Sequence, residues 1–210
     1  MRLKLVSAVF FLAAAVHVSS QTNAEAVRSV WQVDVGAGVS GFNDSYCAPC
    51  NTGVSPGNME GAAIWAEVYP NLGPRLVHGF GLAIEARDIS FGRPSTQPSN
   101  LREDTGGGGV IYQWRHFHNL TPYGKFLWEQ GSVDFIQAPG YNHDDRTLHA
   151  FGGGLDYRVW RQVSVRADYE EQIWQYLFEN HQLSFANGLQ LKPRGFTVGA
   201  VYQFDHIHFH

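Results

Sequence analysis

The chain has 210 residues, enough for one domain with a substantial core but not clearly enough for two. Charged residues make up 16% and aromatic residues 14%, which excludes a disordered chain, since disordered chains are rich in charge and poor in aromatics. A net charge of -4 argues against nucleic acid as a partner, because no basic excess is available to displace counterions from phosphates.

The first residues have the features of an export signal. Arg2 and Lys4 form a positive start, and residues 5–16 are almost wholly apolar. Ala24, Glu25 and Ala26 match a cleavage site, with 18–20 as a weaker alternative. The apolar run is shorter than the ~20 residues that a membrane helix needs. We therefore expect residues 1–26 to be a signal peptide that is removed after export.

Beyond Ala26 the hydrophobic pattern repeats every second residue, which is typical of β-strands with one apolar face. Eight strands are predicted, of which the second, fourth and fifth have the weaker pattern. In chain order they are 31–40, 61–69, 79–87, 109–117, 123–135, 151–158, 163–170 and 196–204. Strands of this length can cross a bilayer when tilted, and eight is a strand number that side chains can fill from within.

The connections between these strands alternate in length along the whole chain. The long ones are 43–60, 93–106, 136–147 and 178–194, and the short ones are 70–75, 118–122 and 161–162. Transmembrane barrels have short periplasmic turns and longer external loops. The fold prediction is therefore an all-β, eight-stranded antiparallel up-and-down transmembrane β-barrel over residues 27–204, followed by a short His-rich tail at 205–210.

The composition of the polar face favours a membrane barrel over a soluble, lipocalin-like one. That face consists mostly of Gly, Ser, Thr, Ala and Gln, whereas a soluble exterior would carry more Lys and Glu. Its sparse charges suit a narrow lumen in which acids and bases pair. The predicted lumen network comprises Asp34, Glu67, Glu85, Arg87, Arg115, Lys125, Glu129, Asp156, Arg158, Arg166, Asp168 and Glu170.

Aromatic residues near the strand ends predict girdles at the two membrane boundaries. These residues are Trp31, Tyr69, Tyr112, Trp114, Tyr123, Trp128, Tyr157, Trp160 and Tyr202.

Three segments resemble the OmpA/OmpX-like family of small outer-membrane barrel domains. They are Gly-Gly-Gly-Leu-Asp-Tyr-Arg at 152–158, Val-Arg-Ala-Asp-Tyr-Glu at 165–170, and the final strand at 195–204. The resemblance implies a Gram-negative outer membrane, both termini in the periplasm, and contact with outer-membrane lipid and lipopolysaccharide. It also implies recognition by the barrel-assembly machinery through a final strand ending in Phe, here Phe204, with Asp205–His210 following it. A monomer is expected.

The sequence predicts no catalytic, cofactor or metal site. The glycine pattern at 36–41 lacks the helix that a dinucleotide site needs, and Ser90, Ser132 and Ser164 have no His at the H-x-S spacing of barrel deacylases. We expect a non-enzymatic envelope protein that acts through four external loops, whose partner the sequence does not name. The alternatives are a lipid-modifying barrel enzyme and a soluble periplasmic small-molecule binder.

Cys47 and Cys50 are expected to form a disulfide that pins the first external loop, because the compartment is oxidising. Metal-binding thiolates, redox activity and free or intermolecular thiols are the alternatives. Alkylation and mass measurement on protein from the envelope should find both thiols oxidised. A Cys47→Ser/Cys50→Ser variant should still assemble, since so small a loop constrains little of the unfolded chain. Free thiols, or failure of the variant to assemble, would refute this prediction.

Overall fold

A computed structural model describes residues 31–43, 58–70, 77–91, 101–135, 142–175 and 192–207. The predicted signal peptide, Cys47 and Cys50, most residues of the long connections and the end of the tail lie outside these ranges. Eight strands are present in the described residues. They are β1 (Trp31–Asn43), β2 (Asn58–Tyr69), β3 (Phe80–Phe91), β4 (Leu101–Gln113), β5 (Leu120–Phe135), β6 (Asn142–Arg158), β7 (Val163–Trp174) and β8 (Arg194–Ile207).

The strands form one closed barrel in which each pairs antiparallel with its neighbours in the sequence. The first and last strands close the ring, with Val39 opposite Val198 and Val33 opposite Phe204. This confirms the predicted fold class. No helix in the described ranges is long and apolar enough to cross a membrane.

The outer surface of the barrel is a band of exposed apolar side chains. Val39 is 69% exposed and Leu82 66%, which is the reverse of a soluble protein's surface. Aromatic side chains lie in contact at one edge of the band, where the Phe80 and Tyr112 rings are 4.6 Å apart and the Tyr112 and Trp114 rings 4.8 Å. The apolar residues predicted to face lipid therefore lie on the outside.

The inner surface combines large aromatic rings with glycines. The indole of Trp65 occupies the space where a Cβ on Gly36 would lie, and the indole of Trp174 occupies the equivalent space at Gly131. Both indoles point inward, and a Cβ on either glycine would also point inward, where the bore of an eight-stranded barrel is narrow. A larger residue at either glycine would displace the ring, so these glycines set where the aromatics pack.

The structure moves the boundaries of two strands. The fourth strand was predicted over 109–117, but β4 spans Leu101–Gln113, and the sixth was predicted over 151–158, but β6 begins at Asn142. The added segments, such as Arg102–Thr105, carry polar residues on both faces, because this end of the barrel continues past its apolar band. Alternating hydrophobicity cannot reveal a strand whose two faces are both polar. β8 likewise continues past Phe204, so part of the predicted tail is strand.

Two predicted girdle residues instead point into the barrel. Tyr69 and Tyr123 are buried on the inner face. Each lies two residues along its strand from an inward-facing charged residue, Glu67 on β2 and Lys125 on β5. Their hydroxyls make buried hydrogen bonds there, which a lipid-facing position would not supply. Nearness to a strand end was therefore the wrong criterion for these two residues. The alternation of side chains along each strand places both of them on the inner face.

Leu155 tests the outward face. It lies on β6, is 44% exposed, and is flanked on the same face by Phe151 and Tyr157. Leu155→Arg should cost about 2–4 kcal/mol in reversible unfolding from lipid vesicles, because an arginine would lie within the bilayer core. Val159→Arg, just beyond the end of β6, should cost about 0–1 kcal/mol. Equal costs for the two variants would contradict the lipid-facing assignment.

Candidate functional site: the charged lumen

The predicted lumen charges lie on the inner face of the barrel, and most of them are buried. Of the twelve, Asp34, Glu67, Glu85, Arg87, Lys125, Glu129, Asp156, Arg166, Asp168 and Glu170 are buried. Arg115 and Arg158 instead lie exposed at the short-turn end of the bore. Arg115 follows the end of β4 and Arg158 is the last residue of β6. From there the guanidinium of Arg115 lies 4.8 Å from the ring centroid of buried Tyr69.

Arg166 on β7 is the centre of the cluster nearest the short-turn end. Its Nε and Nη2 donate to the two carboxylate oxygens of Asp156 at 2.7 and 2.8 Å. Its Nη1 and Nη2 also donate to both oxygens of Glu67 on β2, which accepts a further hydrogen bond from Tyr69 at 2.7 Å. The guanidinium stacks 4.4 Å from the ring centroid of Tyr123. We call these residues the Arg166 cluster; it joins β2 to β7 across the bore.

A second cluster surrounds Lys125 on β5. The Lys125 Nζ lies 2.7 Å from Glu85 Oε2, 2.8 Å from Asp168 Oδ2 and 2.8 Å from Glu170 Oε2. Arg87 also bridges Glu85 and Glu170, with Nη1 2.6 Å from the Glu170 carboxylate. We call these residues the Lys125 cluster. Because β3 and β7 are four strands apart in the ring of eight, the Arg87–Glu170 pair spans the full width of the barrel.

Tyr123 links the two clusters. Its ring packs against Arg166 of the first, and its hydroxyl donates to Asp168 Oδ2 of the second at 2.7 Å. The two clusters therefore form one continuous network along the bore.

The lumen is more acidic than the sequence prediction of seven acids and five bases. Among the described residues, eight carboxylates are buried, and three cations, Arg87, Lys125 and Arg166, are buried with them. The additional acid is Glu103, which the sequence pattern missed because it lies in the polar extension of β4. Glu129 is 1% exposed, and neither of its oxygens accepts a hydrogen bond within the described residues. Protons or small cations must balance the excess, since uncompensated buried carboxylates are costly.

The outer surface beyond the apolar band carries a polar cluster that no linear motif reveals. Cross-strand pairing places His143 of β6 beside Asp134 of β5, with Nδ1 2.6 Å from Asp134 and Nε2 3.1 Å from Asp145. Hydrogen bonding to Asp134 raises the pKa of His143 above its usual value, and Asp145 acts in the same direction. Ser132 Oγ lies 3.4 Å from the same Nδ1. This nitrogen already donates to Asp134, so it is poorly placed to accept a proton from the serine.

In the part of the chain that the structure describes, no group of three His, Cys, Asp or Glu side chains is arranged to hold a metal ion. The outer glycines Gly106 and Gly108 lie within β4 rather than in a phosphate-binding loop. The contacts that the described lumen charges make with one another are ion pairs and hydrogen bonds.

The effect of burial on the stability contributed by an ion pair can be tested with two arginines, each of which pairs with two carboxylates. Arg166 is buried between Glu67 and Asp156, while Arg102 is exposed between Asp88 and Asp104. Arg166→Met should cost about 3–5 kcal/mol in unfolding free energy, because it leaves two carboxylates buried without their counter-charge. Arg102→Met should cost less than about 1 kcal/mol, because water replaces the lost pairs. Similar costs would show that the Arg166 cluster is solvated.

Comparison with solved structures shows the same fold. Ail, the attachment invasion locus protein of Yersinia pestis, is 15% identical with a TM-score of 0.56, the match covering 82% of this chain and 98% of that one. Neisserial surface protein A is 12% identical with a TM-score of 0.58, covering 82% and 97%. OprG from Pseudomonas aeruginosa is 11% identical with a TM-score of 0.53, covering 85% and 98%. No curated protein matches this chain in sequence.

The family comparison covers nearly the whole chain. The family described as outer membrane protein beta-barrel domain matches residues 8–204, beginning within the predicted signal peptide and ending at Phe204. This range includes β1 to β7 in full and β8 as far as Phe204, three residues before β8 ends. The chain therefore belongs to the outer membrane protein β-barrel domain family.

Proposed function

We propose that this protein is a non-enzymatic outer-membrane barrel that displays its four long connections at the cell surface while its own lumen is closed to ions. The observation that carries the proposal is the Arg87–Glu170 pair, which joins opposite walls of the bore through buried side chains. The Arg166–Glu67 pair supports it at a second level of the bore. A barrel filled in this way suits an anchor better than a pore.

The external connections are the part of the protein proposed to bind a partner. The strand ends that they join lie at the end of the barrel opposite the start of β1, and these strands are held in fixed register. Their residues lie largely outside the described ranges, so the partner's chemistry is not specified. Export is proposed to remove residues 1–26, and the final strand to be read by the barrel-assembly machinery.

Contact with lipopolysaccharide is proposed at the outer rim of the barrel. A groove of about 370 Å³ there brings Arg194 together with the aromatic rings of Tyr169 and Phe196. A guanidinium beside apolar rings suits a phosphate attached to acyl chains. The proposal treats the barrel as a monomer surrounded by lipid, in keeping with its apolar outer band.

Two alternatives from the sequence remain to be compared. A soluble barrel is set aside, because the chain belongs to an outer-membrane family and exposes its apolar face. A lipid-modifying enzyme would require a nucleophile and base on the outer face, and Ser132 with His143 is the pair that the fold brings closest to this arrangement. Asp134 lies 2.6 Å from the His143 nitrogen that Ser132 faces, and Asp145 lies 3.1 Å from the other ring nitrogen, so carboxylates already engage both nitrogens.

The closed lumen predicts the electrical behaviour of the protein. In planar bilayers the folded barrel should give no steady conductance of porin size, because paired side chains occupy the bore. A shift in gel mobility on heating, measured on the same sample, shows that folded protein was present. Steady porin-sized conductance would contradict the proposal.

Cells that express the protein can test the enzymatic alternative. Mass spectra of lipid A from cells with the wild-type protein and from cells with Ser132→Ala should be identical. Acyl-chain changes that depend on Ser132 would replace the proposed function with the lipid-modifying one.

A further inference from the structure

Glu129 is a buried carboxyl group that the proposed anchoring function does not use. It lies on the inner face of β5 and is 1% exposed. Neither of its oxygens has a hydrogen-bond partner within the described residues. Buried polar atoms in native proteins are nearly always paired, so this group requires a physical explanation.

The register of the sheet places Glu129 in one row with another acid. Glu129 is paired with Gly107 of β4, and Gly107 is paired with Glu85 of β3. A Cβ on Gly107 would lie 2.5 Å from the Cα of Glu129 and 2.8 Å from its Cγ, so the Glu129 side chain packs directly over this glycine. Two ionised carboxylates in that row would repel each other.

The other neighbours of Glu129 are apolar. Leu148 of β6 is directly opposite it in the register, and Leu127 is the preceding inward residue of β5. Both leucines are fully buried. The indole of Trp174 lies over Gly131, which is the next inward position of β5. An ionised carboxylate in such surroundings loses its hydration without a replacement.

The hydrogen-bond donors of the Lys125 cluster are engaged by other carboxylates. Lys125 Nζ lies 2.7 to 2.8 Å from one oxygen of each of the three carboxylates in the cluster, which matches its three N–H groups. Arg87 donates through both terminal nitrogens to two of the same carboxylates. Gln172 of β7 donates to Glu170. Neither these groups nor the remaining Arg87 Nε contacts a Glu129 oxygen.

The charges around Glu129 leave none to balance an ionised carboxylate there. In the Lys125 cluster, three carboxylates face two cations. Glu103 of β4 adds another buried carboxylate, and Arg146 and Asp144 of β6 pair with each other at 3.1 Å. An ionised Glu129 would be a further uncompensated negative charge, which is costly in a buried site. A proton removes that charge and needs almost no space.

We propose that the folded barrel holds a proton on Glu129, so that this side chain is an uncharged carboxylic acid at neutral pH. A glutamate in water is ionised at that pH, so the barrel takes up the proton as it folds and releases it as it unfolds. The acid form has an O–H to donate. Thr105, a diagonal neighbour of Glu129 in the β4–β5 register, has a buried hydroxyl with no hydrogen-bond partner within the described residues.

Infrared spectra of the folded protein in lipid vesicles test this proposal. A protonated carboxyl group absorbs above the amide I band, whereas an ionised carboxylate absorbs below it. At neutral pH the wild type should show the absorption of a protonated carboxyl group, and Glu129→Gln should lose it in whole or in part. Glu60→Gln, which changes an exposed carboxylate of β2, should retain it in full. Identical spectra for wild type and Glu129→Gln in this region would overturn the proposal.

The proton also makes stability depend on pH in a defined direction. The folded form binds one proton more at Glu129 than the unfolded form, so a rise in pH favours unfolding. From weakly acidic to neutral pH, the unfolding equilibrium constant of the wild type should rise about tenfold more per pH unit than that of Glu129→Gln, whose side chain does not titrate. Equal slopes, or a steeper slope for the variant, would contradict proton uptake at this site.

A second neutral variant guards against an effect of the amide itself. Glu129→Met has a similar length and no polar hydrogen. Both variants should fold, as judged by the heat-dependent gel shift, because the native side chain is proposed to be neutral. Failure of both variants to fold would show that the barrel needs the negative charge, and would overturn the proposal.

A small metal cation held by an ionised Glu129 is the competing explanation of the charge balance. Replacing sodium with a bulky organic cation at constant ionic strength distinguishes the two. The unfolding equilibrium constants of the wild type and of Glu129→Gln should respond equally to this exchange. A loss of stability confined to the wild type would assign the site to the metal cation instead of the proton.

Discussion

Closure of the ring by β1 and β8 is the constraint on which the rest of the structure depends. Once eight strands close, the sheet has no exposed edge, and every second side chain is forced into a narrow bore. What enters that bore must fill it, and what is charged must be paired. The glycines beside Trp65 and Trp174 and the shared positions of Arg166 and Lys125 are consequences of this one requirement.

The charge along the bore changes from acidic in the interior to basic at the short-turn end. Buried carboxylates exceed buried cations in the interior of the described barrel, while Arg115 and Arg158 collect at the short-turn mouth. The interior network holds opposite walls together through Arg87 and Glu170. The mouth, by contrast, exposes its arginines to a cavity large enough for a solute. One barrel therefore combines a filled, acidic interior with two arginines at its short-turn mouth.

The alternation of apolar and polar residues assigned the faces of the strands correctly but placed the ends of some strands wrongly. Alternation placed Leu155 outside and Asp168 inside, because lipid and lumen select opposite residue types on the two faces of one strand. The signal ended where β4 and β6 leave the apolar band, since residues there are polar on both faces. Glu103 and His143 lie in those extensions, so the sequence pattern revealed neither Glu103 nor the contacts of His143 with Ser132 and Asp134 of β5.

The sequence by itself determined the number of strands, their antiparallel order, the lipid-facing side and the identity of ten buried lumen charges, because each depends only on local periodicity and connection length. The tertiary structure alone decided which charges meet. Arg87 and Glu170 are 83 residues apart, and their contact depends on the curvature that brings β3 opposite β7. It also decided that Arg115 and Arg158 line one cavity, because strand ends come together only when the barrel closes.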